Sequence, residues 1–356
     1  DQLDGDPYDR ALAQLLGDAP PQTLVQDVVD ALAFAKTDDR ITAVHLELSL
    51  LGGGGLSKLR RIGAAIEDFK ESGKPVIASA DYFSQSGYHM GAHADELYMH
   101  PEGMVFLEGY GGFRSYYKEA IDKLRVDWNV FRVGTHKSYA EPYTRMDMSP
   151  EDRESRMRLI EQFWTMYQDD VELARGLTAG TIDEYAQNLV EHVAAAGGDV
   201  AAAAKEAGLV DDLLARSELR EVLTAYAGED LVDSALYSSV YSQDYLRNMR
   251  LLHGEDVQDE NIAIVMAVGT ILNGSQSSGS IGGDSTANLL RLALSDETIK
   301  AVVLRVDSPG GSVFASEVIA NEIQALRAAG KPVVASMDSV AASGGYWISI
   351  ATDRII

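Results

Sequence analysis

The sequence contains no cysteine, so neither disulfide bonds nor thiolate chemistry contributes to its stability or its function. It is also short of positive charge, with 30 Lys and Arg against 55 Asp and Glu and a formal net charge of −25 at pH 7. A surface this acidic argues against binding to nucleic acid and against docking on anionic lipid. The sequence has no run of about 18 apolar residues, so we expect no membrane-spanning helix in this chain.

What the chain does contain is a long internal repeat. The stretches DDRITAVHLELSLLGGGG (38–55) and GKPVIASADYFSQSGYHMGAHADELYM (73–99) recur as DETIKAVVLRVDSPGGS (296–312) and GKPVVASMDSVAASGGYWISIATDRII (330–356). A helical pattern separates the two stretches of each copy. The order within a copy is strand, glycine-rich turn, helix, strand, turn and helix, with short strands rich in β-branched residues. This order predicts an α/β fold with parallel strands and right-handed crossovers.

The repeat gives a plan for the domains, because a helical segment lies between the two copies. We predict an N-terminal helical lead-in over 1–36, a first α/β unit with a helical extension over 37–235, a linker over 236–260 and a second α/β unit over 261–356. The second copy stops 13 residues after Ser343, whereas the first continues well beyond its matching turn. We therefore expect the second unit to be incomplete in this chain.

The turn DSPGGS (307–312) is the first candidate for a chemical role. It follows a predicted strand at the carboxyl edge of the sheet, where sites form in open α/β folds. Its glycines, Gly310 and Gly311, would let the backbone approach a ligand and direct N–H groups at an oxyanion. An ordinary strand-to-helix turn is the competing interpretation. The first copy has GGGG (52–55) at this place, without the Ser-Pro.

Ser343, in AASGGYW (341–347), is the candidate nucleophile. It follows the next strand of the same unit and precedes a predicted helix that begins near Gly344, whose N–H is a second candidate oxyanion donor. The competing interpretation is a small residue that close packing requires. The SPGG turn at the neighbouring strand favours the nucleophile.

A serine nucleophile needs a base, and none of the seven histidines lies in the second copy near Ser343. The stretch HMGAH (89–93) lacks the glutamate of a HEXXH zinc motif, so we predict no metal site and no cofactor. A lysine that loses its charge is the other base available at neutral pH. Lys137, in FRVGTHKSYAEPYTRMDMSP (131–150), is the strongest candidate, although a lysine in a loop is more commonly just solvated.

The combination of SPGGS (308–312), AASGGYW and GTHKS (134–138) followed by EP resembles the long form of bacterial signal peptide peptidase A, the protease IV family. Members of that family are membrane-anchored Ser–Lys peptidases related to Clp protease and to the crotonase fold. The resemblance runs over nearly the whole chain, including the tandem repeat. It implies two Clp/crotonase-like βα units in tandem.

The resemblance also implies roles for individual residues. Ser343 matches the nucleophile and Lys137 the general base, acting on Ser343 of its own chain or of another copy. Gly310, Gly311 and Gly344 match the oxyanion region, with either Gly310 or Gly311 giving an N–H. A neutral lysine base implies an alkaline optimum and insensitivity to metal chelators.

For the whole protein, the resemblance implies a serine endopeptidase that hydrolyses remnant signal peptides. It implies a homo-oligomer, a tetramer, in the bacterial inner membrane, with the catalytic part facing the periplasm or the cell exterior. The membrane anchor would be N-terminal and is absent from this chain. An extended peptide substrate would be expected to add along a strand edge.

A second serine competes with Ser343 for the role of nucleophile. Ser86, in SQSG, matches Ser343 by the repeat and precedes Lys137, as serine precedes lysine in short-form members of the family. We favour Ser343, because the first copy lacks the Ser-Pro before its glycines and SQSGYH departs from ASGGYW.

Two further functions stay open beside the peptidase. One is a crotonase-like acyl-CoA enzyme, which would use a similar glycine-rich oxyanion turn but would also need a pocket for CoA. The second is a non-catalytic relative that acts as a scaffold for membrane proteins or for a partner protease. The presence of both Ser343 and Lys137 argues against the scaffold.

Overall fold

The computed structural model of the protein describes residues 2–4, 22–233, 235–253 and 260–356. Parts of the predicted N-terminal lead-in (5–21) and of the predicted linker (254–259) lie outside the described residues. Helices and parallel strands alternate along the described chain, which confirms the predicted α/β class.

The bounds of the elements are as follows. The strands are β1 (Gln2–Asp4), β2 (Gln22–Leu24), β3 (Val44–Glu47), β4 (Val76–Ala80), β5 (Glu96–Met99), β6 (Asp212–Leu213), β7 (Asn261–Val268), β8 (Thr270–Leu272), β9 (Ser280–Gly282), β10 (Ile299–Ser308), β11 (Val333–Ala341) and β12 (Arg354–Ile355). The helices are α1 (Val25–Thr37), α2 (Leu56–Lys70), α3 (Gln85–Gly91), α4 (Lys118–Lys123), α5 (Glu141–Thr144), α6 (Pro150–Arg175), α7 (Thr181–Gln187), α8 (Leu189–Ala195), α9 (Val200–Glu206), α10 (Arg216–Ala227), α11 (Ser242–His253), α12 (Gly283–Ser295), α13 (Val313–Ala328) and α14 (Gly344–Ile350).

The described residues form two compact units. The Ser343 unit contains the described residues up to Val44, Leu50–Pro75 and those from Leu223 onward; the Lys137 unit contains His45–Ser49 and Val76–Val222. The predicted domain plan stays a prediction, because compactness alone does not establish which segments fold independently.

Each unit has a four-stranded sheet. The sheet of the Ser343 unit has the order β12-β11-β10-β7, and that of the Lys137 unit has the order β3-β4-β5-β6. β10 pairs in parallel with both β7 and β11, so their carboxyl ends meet at one edge. This edge carries the turns that follow β10 and β11, which contain the candidate oxyanion glycines and Ser343. That both sheets share the Clp/crotonase fold stays a prediction.

The two matching stretches share contacts as well as sequence. Lys331 Nζ donates hydrogen bonds of 2.6–2.9 Å to three carbonyls at the end of α12 and just beyond it. Lys74 Nζ likewise donates hydrogen bonds to two carbonyls at the end of α1 and just beyond it, at 2.8 and 2.7 Å. A lysine ammonium placed there satisfies carbonyls that the helix leaves unpaired. The lysine of each GKP segment therefore binds the carbonyl end of a helix of the Ser343 unit, α1 for Lys74 and α12 for Lys331.

The core of the Ser343 unit is packed around β10. Val302, Leu304 and Val306 alternate along this strand and are fully buried. They belong to one apolar cluster with buried residues of α12 and α13, among them Leu290 and Ile319. Burial of side chains of this size stabilises the fold by about 1.5–3 kcal/mol each, so the strand that leads to the SPGG turn is firmly held.

Of the helices in the described ranges, none combines the length and the apolar composition needed to cross a membrane.

We predict that Leu304→Ala lowers the free energy of unfolding by about 2–5 kcal/mol, because the change leaves a cavity in the middle of this cluster. The matched control is Leu252→Ala on α11, where the side chain is 72% exposed, and its expected effect is about 0.5 kcal/mol or less. Urea unfolding of both variants measures the difference. Equal losses would show that β10 is not the centre of the core.

Candidate active site

Ser343 lies in a strained turn between β11 and α14. Its φ of 50° and ψ of −115° fall outside the regions that residues other than glycine prefer. In the described chain only Arg125 shares a positive φ among residues other than glycine. A strained residue of this kind costs about 1–3 kcal/mol and is found most often at functional sites. The turn leaves Ser343 exposed at the start of α14.

Backbone hydrogen bonds hold this turn on both sides. The Ala342 N–H donates to the Ser308 carbonyl at 2.9 Å, which joins the turn to the end of β10. The Gly345 N–H donates to the Ala342 carbonyl at 2.8 Å and the Trp347 N–H to the Ser343 carbonyl at 2.9 Å. The position of Ser343 is therefore set by β10 and by α14 together.

The SPGG turn lies directly against the Ser343 turn. A Cβ added to Gly310 would stand 2.5 Å from the Gly344 nitrogen and 2.7 Å from Ser343 Cβ, and its φ is 94°. A Cβ added to Gly344 would stand 2.6 Å from Ser316 Oγ. The position of Gly310 therefore requires glycine, because a side chain there would meet backbone atoms, whereas a side chain at Gly344 would displace the Ser316 hydroxyl. The structure brings together four of the five residues proposed from the sequence, namely Ser343, Gly310, Gly311 and Gly344.

The N–H groups of the two turns differ in whether they already donate a hydrogen bond within the protein. The Gly310 N–H donates to Ser308 Oγ at 3.1 Å. Within the described residues, neither the Gly311 N–H nor the Gly344 N–H has a protein acceptor. Two free N–H groups beside an exposed hydroxyl form an arrangement that can bind an oxyanion. Of the two glycines that the sequence left open, the hydrogen bonding favours Gly311 as the donor.

Sequence reasoning missed the residues that orient this turn. The Ile271 N–H donates to the Gly310 carbonyl at 3.0 Å, and the Ile271 carbonyl accepts from the Ser312 N–H at 2.8 Å. Ser308 Oγ donates to the Gly269 carbonyl at 2.7 Å. Strand β8 thus runs beside the glycines and fixes the direction of their peptide groups. The only sequence signal was Gly269, whose φ is 95° at the bend between β7 and β8.

Lys137 lies in the Lys137 unit, on a turn that starts at Gly134. Its N–H donates to the Gly134 carbonyl at 3.5 Å, and its carbonyl accepts from Arg132 Nη1 at 3.3 Å. The side chain is exposed. In the described part of the chain, its ammonium group makes no hydrogen bond or ion pair.

The segment after Lys137 is anchored to the start of α6 through Asp152. Ser138 Oγ donates to Asp152 Oδ1 at 2.7 Å, and Arg156 Nε donates to Oδ2 at 3.0 Å. Burial acts to raise the pKa of Asp152, but the hydrogen bonds from Ser138 and Arg156 and the charges of Arg156 and Arg114 outweigh it, so the pKa lies below its ordinary value. The ionised carboxylate therefore stabilises this anchor.

Ser86, the competing nucleophile, lies in a different setting. It is the second residue of α3, with an ordinary helical backbone rather than a strained turn. The cap of that helix is Ser84, whose Oγ accepts a hydrogen bond from the Gly87 N–H at 3.1 Å. Among the described residues no hydrogen bond joins Ser86 to Lys137. This setting favours Ser343 over Ser86.

The histidines of HMGAH pack into the Lys137 unit. His89 is fully buried, with Nε2 3.3 Å from Asp170 Oδ2 and its ring 5.5 Å from that of His93. Across the described ranges, no three His, Asp or Glu side chains form a group that could hold a metal ion.

Comparison with known proteins gives consistent matches. The model of peptidase family S49 matches residues 68–228 and 325–356. The chain is 40% identical over 330 residues to Protease 4 of Salmonella typhi, which covers 93% of this chain and 52% of that protein. It is 40% identical over 349 residues to Protease 4 of Haemophilus influenzae, and this match covers 97% of this chain and 56% of that protein. It is 29% identical over 332 residues to the chloroplastic serine protease SPPA of Arabidopsis thaliana, and this match covers 90% of this chain and 46% of that protein. The chain spans about half the length of these curated relatives.

We predict that Ser343→Gly is more stable to urea than Ser343→Ala by about 1 kcal/mol, because glycine adopts the positive φ without strain. The matched control is the same pair of substitutions at Ser86. There Ala should be the more stable by about 0.5–1 kcal/mol, because the position is helical. The same sign at both positions would show that Ser343 is not strained.

We predict that Asp152→Asn lowers the free energy of unfolding at pH 7 by about 1.5–3 kcal/mol, since it removes a buried charged acceptor. The lowered pKa of Asp152 means that the stabilisation is complete above the ordinary pKa and is lost as pH falls through the folded value. The difference in free energy of unfolding between Asp152→Asn and the unchanged protein should stay constant between about pH 7 and 5 and become smaller below about pH 4.

The control for Asp152→Asn is Glu154→Gln on the same helix, where the exposed carboxylate pairs with Arg158 at 2.9 Å. Its expected effect is within about 1 kcal/mol at every pH. Urea unfolding at each pH measures both variants. A loss that does not change with pH for Asp152→Asn would contradict the role of its charge.

Proposed function

The chain belongs to peptidase family S49, and from this membership and the geometry of the Ser343 turn we propose that it is a serine peptidase with a Ser–Lys dyad. Ser343 is the nucleophile and Lys137 is the general base. The observation that carries the proposal is the strained, exposed serine that lies beside the free N–H groups of Gly311 and Gly344.

In the proposed reaction, the neutral amine of Lys137 takes the proton of Ser343 Oγ as this oxygen attacks the peptide carbonyl carbon. The Gly311 and Gly344 N–H groups bind the resulting oxyanion, and each such donor is worth about 10²–10³-fold in rate. Lys137 then protonates the leaving amine, and an acyl-enzyme on Ser343 remains. Water, deprotonated by Lys137, releases the acyl group by the same steps. We expect activity to rise toward alkaline pH and to be insensitive to metal chelators.

A lysine works as a base only where its charged form loses solvation, and Lys137 is exposed in the single chain. We therefore propose that the protein works as a homo-oligomer, and the resemblance to the protease IV family implies a tetramer. In this oligomer Lys137 acts as the base for Ser343 of its own chain or of another copy. Large apolar side chains stand exposed on the segment around Lys137, as surfaces covered by assembly do. They include Phe113, Phe131, Val133 and Tyr139.

The proposed substrates are apolar peptides such as remnant signal peptides. Exposed apolar side chains flank the nucleophile on its own turn, at Val340, Tyr346 and Trp347, and follow the SPGG turn at Val313 and Phe314. An apolar peptide bound in extended form would cover them. We propose that the whole protein acts at the extracytoplasmic face of the bacterial inner membrane.

The test is peptide hydrolysis by the whole protein and four variants. Ser343→Ala and Lys137→Ala should each lower kcat at least about 10³-fold, because each removes one half of the dyad. Ser86→Ala and Lys123→Ala, which change a helical serine and an exposed lysine of α4, should keep full activity.

Each contrary result would point to a different function or site. An inactive Ser86→Ala with an active Ser343→Ala would place the dyad within the first copy. Turnover of an acyl-CoA by a protein that hydrolyses no peptide would favour the crotonase-like enzyme. A protein that turns over neither substrate and does not react with a serine-directed probe would favour the scaffold.

A further inference from the structure

The last part of β11 before Ser343 contains a bulge. β10 and β11 pair in register as far as Val306 and Met337, and the register resumes at Ser308 and Ala341. Residues 338–340 of β11 therefore stand opposite Asp307 alone. Extra residues of this kind bend a strand and re-aim the side chains that follow. The conformation of this bulge sets the position of Ala341, two residues before Ser343, and so the path of the chain into the Ser343 turn.

Two carboxylates with little exposure to solvent hold the bulge. Asp307 Oδ1 accepts the Val340 N–H at 3.1 Å, and its Oδ2 lies 3.0 Å from Lys58 Nζ. Asp338 Oδ2 lies 2.6 Å from Arg305 Nη2, and its Oδ1 accepts the hydroxyl of Ser57 at 2.5 Å. The exposed fractions are only 3% for Asp338, 16% for Asp307 and 12% for Lys58. Each end of the bulge is thus fixed by a charged group that has its own partner.

Lys58 and Ser57 come from the first turn of α2, the helix of the first copy. This helix is rigidly placed, because Leu59, Ile62 and Ile66 on its inner face are buried. Its cap, Gly55, lies so close to the bulge that an added Cβ would stand 1.9 Å from Ser339 Oγ. The start of α2 is therefore a fixed support against which the bulge rests.

We propose that Lys58 is a positioning residue for Ser343. Through Asp307 it holds the Val340 N–H, and with it the bulge that sets the distance between the Ser343 hydroxyl and the Gly311 and Gly344 N–H groups. This inference rests on the proposed peptidase function, to which it adds a residue of the first copy.

Removal of the Lys58 charge has a defined consequence. It leaves the Asp307 carboxylate largely buried without its cation, a state that proteins relieve by turning the carboxylate toward water. Such a turn releases the Val340 N–H and lets the bulge relax. A displacement of about 1 Å at a nucleophile costs about 10²-fold in rate. The loss falls mainly on kcat, because Val340 alone among the proposed substrate-binding side chains belongs to the bulge.

The experiment compares Lys58→Met, Lys58→Arg and Lys70→Met in the whole protein. Lys58→Met should lower kcat about tenfold to hundredfold with KM within about twofold. Lys58→Arg keeps the charge and should restore kcat to within about threefold. Lys70→Met is the matched control on the same helix, because it breaks the more exposed pair with Glu67 at 3.3 Å, and it should behave as the unchanged protein. An unchanged kcat in Lys58→Met would overturn the proposal, and so would a loss that only follows a fall in the folded fraction.

Amide hydrogen exchange of the peptide 337–342 gives a readout that needs no turnover. In Lys58→Met this peptide should exchange faster, while the core peptide 301–306 of β10 exchanges as before. Unchanged exchange at 337–342 would show that Lys58 does not hold the bulge. If exchange responds as expected and the unchanged protein hydrolyses no peptide, the peptidase function fails while the coupling of Lys58 to the bulge stands.

Discussion

At Gly310 the backbone passes so close to the turn of Ser343 that a single added carbon would lie 2.5 Å from the Gly344 nitrogen. This approach puts the glycine turn and the serine turn in direct contact, and it leaves no side chain between the hydroxyl and the N–H groups. The remaining features of the site serve this contact. The carboxyl ends of β10 and β11 deliver the two turns to one edge, and β8 orients the glycine peptides.

The strain at Ser343 persists because the surrounding structure outweighs it. Backbone strain of this kind costs about 1–3 kcal/mol. Three backbone hydrogen bonds hold the turn, through Ala342, Gly345 and Trp347, and each contributes about 0.5–1.5 kcal/mol. Their sum is of the same size as the strain, so the three hydrogen bonds together offset it. The packed strand β10 adds the margin, because moving the Ser308 carbonyl would disturb a fully buried core.

The sequence predicted the parts of the site that follow from local pattern. Glycine-rich turns after β-branched strands placed Gly310, Gly311 and Ser343 at one sheet edge, because parallel strands align their carboxyl ends. It did not predict the bulge at 338–340, the pairing of Ile271 with the glycine turn, or the contact of Lys58 with Asp307. Each of these contacts joins residues that are far apart in the chain, and no periodic pattern in the sequence indicates it. The preference for Gly311 over Gly310 likewise depends on the orientation of one peptide group, which the Ser308 hydroxyl determines.

The two matching stretches keep their supporting contacts and differ at the serine. Lys74 and Lys331 bind the carbonyls at a helix end in the same way, and Asp95 and Asp353 each accept a hydrogen bond at 2.8 Å from the first strand residue of the neighbouring β-strand. At the turn itself, the first copy places Ser84 as an ordinary helix cap, which stabilises a helix by about 1 kcal/mol. The second copy instead holds Ser343 in strain. A strained, exposed serine and a relaxed helix cap are exclusive uses of one turn, so the first copy contributes support, through α2 and Lys58, where the second contributes the exposed hydroxyl that we propose as the nucleophile.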